Sequence, residues 1–437
     1  LIRSAKNGFT RAASAGIISM FLFGAQIALA QQFDVGGGAY IETVYDDNAF
    51  RLPSRADARY EIQNRVSVNV ESEYSGIQNY FSADYRLGAE EYTEGSLEND
   101  TNVSGSALYR LGNERTYYDL EISQQRIRVL TQPDSEFLSE NTRNQTTTTV
   151  RPSLKTRDDK PNQFMLSGVF SSVSYSDSTL SPAEQAGGQF RWLRRTPRVN
   201  DYGVIYTYSE TEFEDDSRLD YESDRVSAFL NGETRSLTYA FTVGHQTILN
   251  LSRNQEFNGI TYSVDVSYNG GGNTIDYSES VVLSDTSFSD FVSDGDTGIS
   301  IGGEGETQDN VEQFTRELSW NSTNLCGSCT AGASLTSQKI FYLSIPINNY
   351  ESNGLAISFG YDLSRKTSLG LSASYRETGF EFDALRDSTF KVANFSVERA
   401  LTKTVSLNGF IQRFTRDSEI EGYSSNRIGL RVIFELD

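Results

Sequence analysis

The chain closes on NRIGLRVIFELD, residues 426–437. Taken at every second residue, Ile428, Leu430, Val432, Phe434 and Leu436 fall on one side. Gly429, Arg431, Glu435 and Asp437 fall on the other, and Ile433 alone is out of phase. Period two marks a strand. In a soluble protein such an edge, apolar on one side and followed by nothing that could cover it, would template aggregation. The strand therefore needs a partner upstream in the chain and an apolar surrounding for its apolar side.

The same alternation recurs along the chain. In RYEIQNRVSVNVESEY (59–74), Tyr60, Ile62, Val66, Val68, Val70 and Tyr74 oppose Glu61, Gln63, Arg65, Ser67, Asn69, Glu71 and Glu73. YFSADYRLGAE (80–90), NVSGSALYRL (102–111), DYGVIYTYS (201–209), ITYSVDVSYN (260–269), GLAISFGYD (354–362) and TSLGLSASYRE (367–377) follow it too. These runs reach ten residues or more. They exceed the usual strand of ~5–6 residues and match the ~9–11 residues of a tilted membrane strand. Tyrosine repeatedly caps the apolar side, at Tyr60 and Tyr74, Tyr202 and Tyr208, Tyr262 and Tyr268, as aromatic girdles at two membrane surfaces would.

Composition agrees. Hydrophobic residues are only 37%, yet aromatics reach 12%, and a disordered chain would be poor in aromatics. A net charge of −21 excludes a nucleic-acid surface. The acidic runs SETEFEDDSRLDYESD (209–224) and SDTSFSDFVSDGDTGISIGGEGETQDN (284–310) read as solvated loops.

Residues 1–30 read as a cleaved signal peptide. Arg3, Lys6 and Arg11 precede the apolar run AGIISMFLFG (15–24), and Ala28-Leu29-Ala30 forms a small-residue cleavage signal. No other segment approaches the ~20 apolar residues of a membrane helix. Residues 31–437 are then one all-β domain.

Short turns alternate with long polar connections. The short ones are SGIQ (75–78), GNER (112–115), RDDKPN (157–162), TPRVND (196–201), NGET (231–234), NGGGN (269–273), NSTNLCGSC (321–329), SRKT (364–367) and LTKT (401–404). Short periplasmic turns with long extracellular loops are the habit of outer-membrane barrels. The expectation is a single transmembrane antiparallel up-and-down β-barrel of about twenty strands, eighteen being the alternative, with 274–310 the least regular stretch, either one long loop or a loop that conceals a hairpin. The last strand closes on the first and turns its apolar side to lipid.

RIGLRVIF (427–434), with Arg427, Gly429, Val432 and Phe434 at the marked positions, resembles the terminal β-signal of outer-membrane proteins, with three residues following it. That resemblance implies recognition by the barrel-assembly machinery. Near the other end, VGGGAYIETVYDDNAFRL (35–52) carries Tyr45-Asp46-Asp47-Asn48, then Phe50 and Leu52. This stretch resembles the opening of the beta-barrel porin 2 group, outer-membrane barrels often encoded beside exopolysaccharide or PEP-CTERM export systems. The resemblance implies an outer-membrane pore with periplasmic polysaccharide-export components as partners, and it brings no functional residues. From the residues alone, Asp46-Asp47-Asn48 is a polar turn.

Catalysis finds little support. His245 is the only histidine, and Thr247 stands where a nucleophile would be wanted; no enzyme activity and no cofactor are expected. Cys326 and Cys329 in LCGSC lack a thioredoxin-like context; a local disulfide or a pair of reduced thiols are the two readings. DGDTG (294–298) could hold Ca²⁺ or bridge to lipopolysaccharide, although its spacing is not that of an EF-hand. Alternation sends Arg65, Arg86, Arg110, Arg376, Arg431, Asp84, Glu71 and Asp265 to the lumen. Two functions are open: a pore for exopolysaccharide or another polar solute, or a non-conducting barrel whose acidic loops bind a partner. Outer-membrane lipid and lipopolysaccharide surround either one.

Overall fold

The computed structural model describes residues 33–436 apart from 55–56, 77, 114–115, 131–141, 157–159, 177–179, 197–199, 215–219, 253, 286–292, 295–298, 301–308 and 420–421. Residues 1–30, expected from the sequence to be a signal peptide, lie outside the described residues.

Twenty long antiparallel strands form one closed barrel. They run Phe33–Asp46, Glu61–Ser75, Asn79–Tyr92, Asp100–Asn113, Thr116–Leu130, Thr142–Thr156, Asn162–Tyr175, Ala183–Arg195, Asn200–Phe213 and Tyr221–Glu233 in the first half. The second half continues with Leu237–Asn250, Gln255–Gly270, Asn273–Asp285, Asn310–Ser322, Cys329–Tyr342, Tyr350–Ser364, Thr367–Phe380, Ser388–Ala400, Val405–Ser418 and Tyr423–Leu436. Each pairs with its neighbours in the chain, and the first pairs with the last through Ile41↔Val432 and Ala39↔Phe434. No edge of the barrel is left open.

Most outward residues are apolar and stay uncovered: Val66, Leu87, Val243, Ile260, Leu371 and Ile411 are each 45–68% exposed. A largely apolar outer surface is incompatible with water and matches a bilayer. Tyr45 and Tyr60 stack with ring centroids 6.0 Å apart at one rim. Tyr262 departs from the girdle expectation. It lies well inside its strand and donates to Glu279 at 2.7 Å.

The turns obey local chemistry. The two-residue turn after Gly270 needs left-handed backbone at both positions, and Gly271 (φ 59) and Gly272 (φ 74) supply it. In the next short turn Cys326 and Cys329 are bonded to each other, with Cα atoms 5.1 Å apart. The start of the 274–310 stretch is not loop: it belongs to barrel strand Asn273–Asp285, which pairs directly with Asn310–Ser322. Between these strands, among the described residues, Ser293–Asp294 pairs with Ile299–Ser300, and Ile299 also meets Arg128 of the fifth strand. The acidic run 209–224 is a loop only in its middle. Ser209 to Phe213 and Tyr221 to Asp224 belong to strands, because their alternating side chains continue the ladder Tyr221↔Thr211, Ser223↔Ser209.

The true core is a collar inside the long-loop end. Phe213, Tyr221, Ile248 and Leu283 form one buried cluster there, and Val311, Ile340, Tyr342, Tyr350 and Phe380 a second. Inward side chains lose this cover toward the short turns. Along the second strand Glu61 and Gln63 are buried while Glu71 and Glu73 are exposed.

Gly429 has a packing role on the inner face. It stands opposite Phe410, and a Cβ on Gly429 would lie 2.2 Å from the Phe410 ring. The ring covers the bare backbone, as aromatics do beside sheet glycines. Gly429→Val is expected to destabilise the refolded barrel by about 1–3 kcal/mol, the usual cost of overpacking. Urea titration in detergent, read by the heat-dependent gel shift, checks this.

Candidate functional site

The inner wall near the closing seam concentrates the polar chemistry. The first strand carries Glu42 and Asp46 four residues apart, and the last carries Arg427 and Arg431 four residues apart. Antiparallel register then aligns both pairs at once, as Glu42↔Arg431 and Asp46↔Arg427. Arg431 Nε donates to Glu42 at 2.6 Å, and Arg427 Nε to Asp46 at 2.8 Å. Arg51 approaches Asp46 at 3.3 Å, and the Ser425 hydroxyl also donates to it. Asp46 and Glu42 are almost fully buried, so these are charges that need their partners.

Arg65 on the second strand continues the chain of charges, 3.6 Å from Glu42 and 3.3 Å from Glu90. The guanidinium of Arg427 lies 4.7 Å from the centre of the Phe414 ring, a cation–π contact at a dry site. Asp47 holds the Asn426 amide N–H at 2.6 Å and its side-chain Nδ2 at 2.7 Å. Asn48 donates to the Ser424 and Leu52 carbonyls. Asp46-Asp47-Asn48 is therefore more than the polar turn expected: it staples the two ends of the chain. Glu61, buried nearby, accepts from the Glu94 N–H at 2.9 Å and from Ser96, and so ties down the loop after the third strand.

Beside this network a cleft of about 90 Å³ opens on the inner wall. Glu42, Val44, Gln63, Arg65, Asn394, Ser396, Asn408, Phe410, Gln412, Arg427 and Arg431 line it. The side chains of Gln63, Asn394, Ser396, Asn408 and Gln412 take no hydrogen-bond partner among the described residues. Five amide or hydroxyl groups thus keep donors and acceptors free, next to held guanidinium groups and an aromatic ring. Such a wall exchanges hydrogen bonds readily with a hydroxyl-rich solute.

Register places all eight sequence-derived lumen residues on the inner face. Only Arg65 and Arg431 come together, through Glu42. Arg110 forms a two-pronged pair with Asp119, at 2.7 and 3.0 Å, and lies over the Tyr117 ring. Arg86 and Asp84 are exposed on the third strand, and Glu71 stands opposite Asp84. Asp265 is exposed toward the short-turn end, and Arg376 faces in between Gly354 and Phe390. In the terminal motif Arg427 and Gly429 face in, while Val432 and Phe434 face out.

The sequence places Glu61 and Gln63 on a polar face and Asp46 in a turn without joining them to a site, and gives no role to Glu42, Glu90, Asn394, Ser396, Asn408 and Gln412. The matched four-residue spacings were the signal for Glu42 and Asp46. His245 faces outward, opposite Val226 and Ile260. Of DGDTG, residues 295–298 lie outside the described residues.

No family model matches the sequence, and no curated protein matches it. Similarity is found among solved structures. The FrpB iron transporter from Neisseria meningitidis aligns with TM-score 0.52 at 11% identity, covering 94% of this chain and 83% of that one. The ferric citrate transporter FecA aligns with TM-score 0.51 at 10% identity, over 92% of this chain and 78% of that one. OmpT, an outer membrane protein of Vibrio cholerae, aligns with TM-score 0.41 at 11% identity in a loop-deletion form, over 93% and 99%. At these identities the likeness to the first two is one of fold.

Asp46→Ala is expected to lower stability by roughly 3–5 kcal/mol, since it takes the acid from buried Arg427. Arg431→Met is expected to cost less, because Arg65 still faces Glu42. Urea midpoints of the two variants, compared under the same refolding conditions, check the order.

Proposed function

We propose that the chain is an outer-membrane pore that passes a hydroxyl-rich polar solute, with an exopolysaccharide strand as the favoured cargo. The observation that carries this reading is the seam cleft, where five uncommitted amide and hydroxyl side chains meet Arg65, Arg431 and Phe410. A passing sugar can trade hydrogen bonds along such a wall without being held, which is what conduction requires. Paired acids offset the arginines, so the wall offers polarity with little net field. Targeting by the 1–30 segment, assembly through RIGLRVIF and the resemblance of VYDDNAF to export-associated barrels favour the same location and cargo. Periplasmic export components are the partners this reading expects.

The apolar collar favours a second reading. Ile248, Val311, Ile340 and Phe380 crowd the inner face at the long-loop mouth, and apolar constrictions close pores by dewetting. A barrel sealed there would be a surface protein that presents its acidic loops to a partner.

Planar-bilayer recording separates the two. Discrete conductance steps are expected, interrupted by short linear glucose oligosaccharides. Gln63→Leu with Asn408→Leu is expected to weaken that interruption several-fold. Conductance with no response to oligosaccharide would remove saccharide as cargo, and a folded barrel without conductance would favour the sealed form. Arg86→Ser with Arg110→Ser is expected to shift selectivity toward cations, because Asp84 and Asp119 then keep their charge unopposed; reversal potentials in a salt gradient measure it. Arg65 is left in place, since it is shared between Glu42 and Glu90 and its removal would take a cation from both.

A further inference from the structure

Glu279 and Arg316 sit opposite one another on paired strands, each the central residue of thirteen. Both face outward, on the side of Ile275 and Leu318, which are each 41% exposed. Glu279 is satisfied: it accepts from Tyr262 at 2.7 Å, from Arg316 Nε at 2.9 Å and from the Tyr277 hydroxyl. Arg316 is covered only in part. Its side chain is 51% exposed, and its neighbours on this face are Glu279, the Tyr277 hydroxyl and the Phe314 ring at 5.2 Å.

Position makes this costly. The outward pairs Lys339–Glu351 and Lys391–Asp417 lie near the long-loop ends of their strands, where water and headgroups reach. Glu279 and Arg316 lie at mid-strand, with Val281 and Phe314 above them and Tyr277 and Leu318 below. An arginine facing lipid at the midplane costs about 2–4 kcal/mol. With an apolar band about 25 Å tall, a lipid phosphate is roughly half that distance away. The exposed guanidinium is better covered by protein.

We infer that this face is the contact between two copies of the chain. A guanidinium and a carboxylate side by side form a self-complementary patch. A two-fold axis beside them sets Arg316 of each copy against Glu279 of the other, as an isologous interface requires. The surround is aromatic, with Tyr262, Tyr277, Phe314 and Trp320 on the same face. Arginine, tyrosine and tryptophan are the residues that anchor buried contacts. The inference depends on membrane placement and not on the cargo.

Single cysteines introduced on a Cys326→Ser, Cys329→Ser background provide the test. Leu318→Cys lies beside the patch, and Val66→Cys faces outward from a strand far around the barrel. In membranes, a short thiol-reactive cross-linker is expected to give a dimer from Leu318→Cys and none from Val66→Cys. Arg316→Glu and Glu279→Arg chains are each expected to be monomeric alone. Expressed together with different tags they are expected to co-purify, because the mixed contact restores both charge pairs. Heat-dependent gel mobility confirms that every variant is folded. Failure to cross-link in a folded barrel, or equal cross-linking at both positions, would overturn the inference. So would a monomer carrying phospholipid or lipopolysaccharide that Arg316→Leu releases, which would assign the guanidinium to a lipid phosphate.

Discussion

Every backbone N–H and C=O group in a bilayer has to be bonded within the protein, because hydrocarbon offers no substitute and each orphan costs several kcal/mol. For a sheet this means that the first strand must meet the last. The pairing of Phe33–Asp46 with Tyr423–Leu436 answers that demand. The terminal alternation and the arginines facing Glu42 and Asp46 serve this one contact. A mostly apolar exterior follows, and most polar residues are left to the inside.

The inside is not uniform. Near the short turns it is wet and charged, with Glu71, Asp84, Arg86 and Asp265 exposed. At the other end it becomes a packed apolar collar. The seam cleft lies on the wall between the ion-pair network and the strands that follow Phe380, with hydrogen-bonding groups that the protein itself leaves unused. Buried charge and open amides thus occupy neighbouring places for different reasons: the first holds the closure, and the second faces whatever enters.

Fold was legible because period two and turn chemistry are local signals. Val66, Val68 and Val70 need no partner to declare a strand, and NGGGN declares its turn by glycine alone. The collar was hidden because its residues break phase. Ile340 lies between Lys339 and Phe341, and in sequence that looks like the end of alternation, whereas in the barrel the inner side has simply turned apolar. The acid partners of the seam were hidden for another reason. Glu42 and Arg431 are separated by nearly the whole chain, so their meeting depends on a register that only closure sets. The meeting of Glu279 with Arg316 is not legible either, because Glu279 lies within 274–310, where the sequence shows no clear strand alternation.

The equal spacing of the seam charges has a consequence for how the barrel picks its geometry. Period two lets a strand slide by two residues without changing which side is apolar, so hydrophobic pattern alone cannot distinguish neighbouring alignments. The charges can. A slide of two sets Glu42 against Gly429 or Ile433 and breaks both ion pairs. A slide of four keeps a single pair, and in one direction it also sets Glu42 against Glu435. Only one alignment satisfies both acids, so the buried charges work as a vernier: they read off the stagger of the closing strands and thereby fix the tilt and girth of the whole cylinder.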